Sequence, residues 1–214
     1  MIKAVIFDMD GVISDTQKLH SRVESSILSR FGVDISPEEI TLKYSGVRTK
    51  EFFNELLTNA NVEFDLNALM IEKWEKMEEL AKVTVDYVDG IYELLDMLAS
   101  NNITLAVGTA SSTKYANSVL QKLNVFDKFS SIVTGDMVQK GKPDPAIFLL
   151  AASNIGVDPN DCLVIEDGIS GMIAAKLGGM KCIGLVKNID FDKYPTQNQV
   201  LSLSYITKEY LENL

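Results

Sequence analysis

The chain has two cysteines, one histidine, one tryptophan and five prolines among its 214 residues. Cys162 and Cys182 are too few for a disulfide framework and lack the spacing of metal ligands. They read as small buried apolar residues of a protein from a reducing compartment. No stretch approaches the ~18 consecutive apolar residues of a membrane span. Asp8, Asp10 and Asp15 stand where a signal peptide would need an apolar run, so a cytoplasmic location is expected. Positive charge is scarce too: 20 Lys+Arg face 30 Asp+Glu, for a net charge of −10. That balance argues against nucleic acid or an anionic membrane as partner, because the Coulomb interaction would be repulsive. It leaves small anionic ligands open, since a local pocket or a bound cation can override the net field. An apolar fraction of 46% with 23% charged residues is that of an ordinary folded chain, and a monomer with a small-molecule partner is the expectation.

What is present is an alternation of short apolar runs with amphipathic segments. Ile2–Phe7, Ile103–Gly108, Ile132–Thr134, Cys162–Ile165 and Lys181–Val186 read as buried strands. Between them Ile91, Leu94, Leu95 and Leu98 share a helix face, as do Ala116, Val119, Leu120 and Leu123, and Ile147, Leu150, Ala151 and Ile155. Continuous apolar strands separated by helices imply an α/β fold, a doubly wound parallel sheet covered on both faces. Residues 16–86 break the rhythm with helical patterns only, including a stripe of Leu66, Leu69, Met70, Trp74, Met77, Leu80 and Ala81 that reads as core. Ser36-Pro37 reads as a helix start. This block is too long for a crossover. The expected division is therefore an α/β core of 1–15 and 87–214 with an inserted helical module of 16–86. The tail from 187 is less regular, with a last helical turn near 207–214.

In such sheets the ligand site lies beyond the carboxyl ends of the strands. This chain puts Asp8 and Asp10, Thr109 and Ser111, Lys142, and Glu166 and Asp167 there. Carboxylates so gathered cannot all ionise without a cation, and hard oxygen ligands suit Mg²⁺. Neither G-x-G-x-x-G nor G-x-x-x-x-G-K-[ST] occurs, so a dinucleotide or P-loop site is unsupported.

Phe7-Asp-Met-Asp-Gly-Val, Gly108-Thr-Ala-Ser, Gly141-Lys-Pro-Asp-Pro and Val164-Ile-Glu-Asp-Gly resemble, in order, the four motifs of the haloacid dehalogenase superfamily. Within it they look most like the phosphatase and β-phosphoglucomutase branch, which carries a helical cap after the first motif. The resemblance implies that Asp8 attacks phosphorus to give an aspartyl-phosphate. Mg²⁺ would be held by Asp8, the Asp10 carbonyl and Asp167, with Glu166 orienting a metal-bound water. Asp10 would act as general acid and base, which asks for a raised pKa where its surroundings are anionic and dry. Thr109 would bond the phosphoryl group, and Lys142 would neutralise charge on the nucleophile and the equatorial oxygens.

Four further residues are candidates for substrate contact. Ser111 either meets substrate or caps the helix that starts near Ser112. His20 matches the family's hinge and first cap helix, where it would position Asp10 or gate closure; the other reading is an exposed helical histidine. Arg48 and Lys50, in Gly46-Val47-Arg48-Thr49-Lys50, resemble a cap loop that reaches substrate; the other reading is solvated charge. In the mutase the loop after the second strand looks like Ser-Ala-Ser-Lys-Asn and the cap loop like Gly-Val-Ser-Arg. Here Ser112-Thr113 replaces Lys-Asn and the arginine is displaced by one position. The expected activity is therefore a Mg²⁺-dependent phosphatase of small phosphorylated metabolites, sugar phosphates first, with a phosphosugar mutase as the alternative. A receiver-type signalling domain also groups acids, a hydroxyl and a lysine around Mg²⁺, but is shorter and has no such insertion.

Overall fold

The computed structural model describes residues 2–44 and 47–214. Four residues, Ala4–Phe7, form β1, and every one of them is buried. Because successive side chains point to opposite faces, Val5 and Phe7 enter one apolar cluster while Ala4 and Ile6 enter the other. A strand buried on both faces has to be apolar throughout, which is why the run shows no alternation.

The other strands are β2 (Thr104–Gly108), β3 (Ser131–Val133), β4 (Cys162–Glu166), β5 (Lys181–Leu185) and β6 (Asn198–Val200). They form one sheet in the order β3-β2-β1-β4-β5-β6, and all five pairings are parallel. β1 is central: Phe7 stands opposite Val107 of β2 and Ile165 of β4. The residues next in the chain after Phe7, Gly108 and Glu166 therefore emerge on one edge of the sheet. Strand β6 is a strand the sequence pattern does not announce. Asn-Gln-Val has no apolar run, and the strand exists because it pairs with β5.

Helices α5 (Ile91–Ser100) and α6 (Thr113–Lys122) cover one face, and α7 (Ala146–Asn154) and α8 (Ile169–Leu177) the other. A short α9 (Lys208–Glu212) ends the chain. Between β1 and α5 lie α1 (Gln17–Ser29), α2 (Pro37–Tyr44), α3 (Thr49–Asn59) and α4 (Leu66–Ala81), with no strand among the described residues. Helix α2 starts as its sequence suggests, Ser36 Oγ accepting from the Glu39 amide at 3.1 Å, and Asp65 caps α4 by accepting from the amides of Asn67 and Ala68. The chain leaves for these helices and returns from them along paired segments. Asp15 N donates to Asp86 O (2.9 Å) and Val88 N to Ile13 O (3.1 Å). No helix among the described residues is long and apolar enough to cross a membrane.

Candidate active site

A cavity of about 660 Å³ opens where the carboxyl ends of the strands meet α1–α4. All the strand-end candidates line it: Asp8, Asp10, Thr109, Ser111, Lys142, Glu166 and Asp167. So do His20, Arg48 and Lys50 from the other side. Residues from positions 8 to 167 thus share one chamber because three adjacent parallel strands end together.

Asp8 continues β1, with its amide donating to Ile165 O. Lys142 Nζ donates to Asp8 Oδ1 at 2.5 Å and to Glu166 Oε1 at 2.7 Å, and lies 4.8 Å from the Phe148 ring centroid. Burial opposes the lysine's charge, but the two carboxylates outweigh it and raise the ammonium above the ordinary range. Burial also pushes the Asp8 carboxyl up to about 7, with Glu166 and Asp10 adding to the rise and Lys142 pulling against it. Asp167 is raised well above the usual carboxylate range by burial and then by Glu166 and Asp8.

Asp8, Glu166 and Asp167 each bring a carboxylate oxygen within 4.8 Å of the others. Three clustered carboxylates share one ammonium, so the donor set suits a hard divalent cation. Glu166 has both oxygens engaged, Oε1 by Lys142 and Oε2 by the Gly168 amide at 2.5 Å. Asp8 and Asp167 are accordingly better placed to give an oxygen to a cation. Gly11 is required beside them. Its φ of +93° is left-handed, and a Cβ there would run into the Asp167 carboxylate and the Gln17 side chain. The Gln17 amide also donates to Asp167, tying the start of α1 to the strand end.

Asp10 meets different neighbours. Oδ1 accepts from Thr16 Oγ1 at 2.5 Å, and Oδ2 from Ser111 Oγ at 2.6 Å. His20 Nε2 lies 3.2 Å from Oδ1, and the Tyr115 hydroxyl donates to it at 3.5 Å. Burial disfavours the carboxylate, but His20, Ser111 and Thr16 together overcome burial and hold Asp10 well below the usual range. The sequence reading asks for a raised value in anionic surroundings; the surroundings are donors, so the direction is reversed. The carboxylate side chain is turned to these donors and not to the Asp8–Asp167 cluster.

Thr109 is buried and its Oγ1 accepts from the Ser111 amide at 3.1 Å. Ser111 is held on Asp10, and the cap of α6 is Ser112, which accepts from the Tyr115 amide. Arg48 is half-buried and so close to Gly141 that a Cβ there would overlap its guanidinium. Among the described residues it has no ion-pair partner. Lys50 is exposed at the rim. Gly46 lies outside the described residues.

Sequence reasoning missed Tyr115, Lys73, Glu24 and Thr49, and it assigned Trp74 to the core. Trp74 packs against the core and also lines the cavity, resting on His20 and Tyr115 with ring centroids 5.9 and 5.5 Å away. Its helical spacing is the same whether the stripe meets a core or a ligand, so periodicity alone had no means of separating them. For Lys73 and Glu24 the only signal is two charged residues on the inward faces of amphipathic helices.

The chain matches the family of haloacid dehalogenase-like hydrolases over residues 5–185. It is 33% identical to the β-phosphoglucomutase of Bacillus subtilis strain 168 over 221 aligned positions, covering 98% of this chain and 96% of that protein. It is 31% identical to the phosphorylated carbohydrates phosphatase of Thermotoga maritima, covering 90% of this chain and 89% of that one. The crystal structure of a β-phosphoglucomutase from Clostridium difficile superposes with a TM-score of 0.86 at 31% identity, over 100% of this chain and 96% of that one.

Proposed function

Because the chain belongs to the haloacid dehalogenase-like hydrolases, with phosphatase and phosphomutase relatives, we propose that it is a Mg²⁺-dependent phosphatase of sugar phosphates. The observation that carries this reading is the pairing at the end of β1. A carboxylate held by Lys142 and a second carboxylate two residues on face one cavity.

In this reading Asp8 attacks phosphorus, an Asp8 O–P bond forms, and the P–O bond to the sugar breaks. Lys142 neutralises charge on Asp8 and on the phosphoryl oxygens, while Thr109 offers its hydroxyl. Asp10 gives a proton to the departing sugar oxygen, then takes one from the water that cleaves the Asp8–phosphate bond and releases inorganic phosphate. Asp10 is ionised while the site is empty, because its partners are donors; an arriving phosphate dianion adds the negative charge that favours its protonation. Bound through Asp8 and Asp167, Mg²⁺ would supply the positive charge that lets an anionic nucleophile approach an anionic phosphate. Helices α1–α4 act as a cap, bringing Thr16 and His20 to Asp10 and Gln17 to Asp167.

The mutase reading is favoured by the full-length likeness to β-phosphoglucomutases. The two differ in the acceptor of the phosphoryl group, water or a sugar hydroxyl. A panel of phosphorylated sugars with Mg²⁺, scored for phosphate release and for conversion of β-glucose 1-phosphate to glucose 6-phosphate, separates them. Phosphate release that Asp8→Asn abolishes is expected; isomer formation without phosphate release would select the mutase.

A further inference from the structure

One ion pair in the cavity wall has no part in the phosphoryl chemistry. Lys73 Nζ on α4 lies 3.1 Å from Glu24 Oε1 on α1, with side chains only 2% and 7% exposed. Thr49, the first residue of α3, sits between them. Its Oγ1 accepts from Lys73 Nζ and donates to Glu24 Oε1, each at 2.7 Å. Lys73 Nζ also lies 4.1 Å from the Trp74 ring centroid. All four residues line the cavity.

Helix α1 acts as a ruler for where this cluster lies. His20 meets Asp10 at 3.2 Å. Glu24 comes four residues later on the same helix face, about 6 Å further from Asp10 along the axis. A small molecule with its phosphate on Asp8 and its bridging oxygen at Asp10 therefore presents its distal atoms to Glu24, Thr49 and Lys73. An unpaired lysine at that depth would add to Arg48, which lines the same cavity against Gly141, in attracting a second phosphoryl group. Glu24 occupies that lysine and adds a carboxylate, an acceptor for hydroxyl groups that repels a phosphate dianion.

We propose that Glu24 makes this end of the cavity a hydroxyl-recognising, phosphate-rejecting subsite, so that the substrate is a sugar or sugar alcohol bearing a single phosphoryl group. The inference rests on the phosphatase reading and narrows its substrate class. Specificity arises on both sides of the comparison. A distal hydroxyl can donate to the Glu24 carboxylate, whereas a distal phosphate meets a like charge there.

The test is calorimetric binding to the Asp8→Asn protein with Mg²⁺, so that no turnover is needed. Two matched pairs serve as probes: fructose 1-phosphate with fructose 1,6-bisphosphate, and glucose 1-phosphate with glucose 1,6-bisphosphate. With Glu24 intact, a monophosphate should bind at least tenfold more tightly than its bisphosphate. Adding Glu24→Gln should shrink that preference at least fivefold. If Glu24→Gln alone does not fold, the Glu24→Gln/Lys73→Gln double variant, which keeps the polar shape without charge, should show the same shrinkage. Equal or tighter binding of the bisphosphates, no monophosphate binding at millimolar concentration, or a preference unmoved by the substitutions overturns the proposal. Failure of the phosphatase reading is seen separately, as absence of phosphate release by the unsubstituted protein.

Discussion

Asp8 and Asp10 are two residues apart and have opposite electrostatic surroundings. Asp8 shares a dry pocket with two other carboxylates and one ammonium, while Asp10 is surrounded by hydroxyls and an imidazole. Lys142 is the residue on which the first arrangement depends. Removing one partner of a buried charge cluster leaves the others uncompensated, at a cost of roughly 3 kcal/mol or more. Lys142→Met should therefore lower the unfolding free energy measured in urea at pH 8 without Mg²⁺ by that amount, and should also suppress phosphate release at least a hundredfold. A variant as stable and as active as the parent would show that the Lys142–Asp8–Glu166 contacts carry neither role. That Asp8, Asp10, Lys142 and Asp167 would meet in one place was legible in the sequence, because Asp8, Asp10 and Asp167 closely follow apolar runs and Lys142 sits in the Gly-Lys-Pro motif after the third. The state of Asp10 was not. Its donors come from positions 16, 20, 111 and 115, and only the folded chain shows that they all face one carboxylate.

At the scale of elements, the contact between α4 and α6 joins the inserted helices to the sheet. Tyr115, in the first turn of α6, is fully buried, with its ring centroid 5.4 Å from His20 and 5.5 Å from Trp74. Lys114 pairs with Glu78 across the same seam. Aromatic pairs of this kind contribute about 0.5–1.5 kcal/mol each beyond the area they bury. Tyr115→Leu keeps an apolar residue but loses two such pairs and the hydroxyl near Asp10. It should cost about 1–3 kcal/mol and should raise amide exchange in α4 and α1 more than in β1 or β4. Uniform exchange throughout the protein would show that the seam is not the element affected. Periodicity located β1–β5 and α4–α7 but not α3 or α8, because burial on one or two faces writes itself into the spacing of apolar residues. It did not locate β6, whose pairing with β5 needs no apolar run, and it did not distinguish the cavity-facing side of α4 from a core-facing one.

For the whole molecule, the buried carboxylates make stability depend on pH and on cations together. Asp8 has a folded value near 7, above that of the unfolded chain. Between about pH 4 and pH 7 the folded state thus holds a proton that the unfolded state has released. Unfolding free energy accordingly falls as pH rises through that window, and the raised Asp167 acts in the same sense. Asp10, which is depressed, loses its contribution only at more acidic pH. The thermal midpoint without metal should therefore drop between pH 5.5 and pH 8. Millimolar Mg²⁺ should raise it more at pH 8 than at pH 5.5, where protons compete for the same oxygens. A Mg²⁺ effect independent of pH would place the cation away from Asp8 and Asp167. The net charge of −10 is spread over the whole sequence; the acidity that matters for these measurements is the small part confined at the strand ends.

The hydrogen-bonded crossing at residues 13–15 and 86–88 has a consequence for how such a chain can change. Where two connections run side by side, everything beyond them hangs from the sheet as a pendant, and its length is not constrained by strand order. Replacing that segment by another should leave Asp8 and Lys142 where the sheet puts them, while removing the Thr16 and His20 contacts to Asp10 and the Gln17 contact to Asp167. The strand ends and the helices above them are therefore joined through Thr16, Gln17 and His20, the side chains that any such exchange would have to keep.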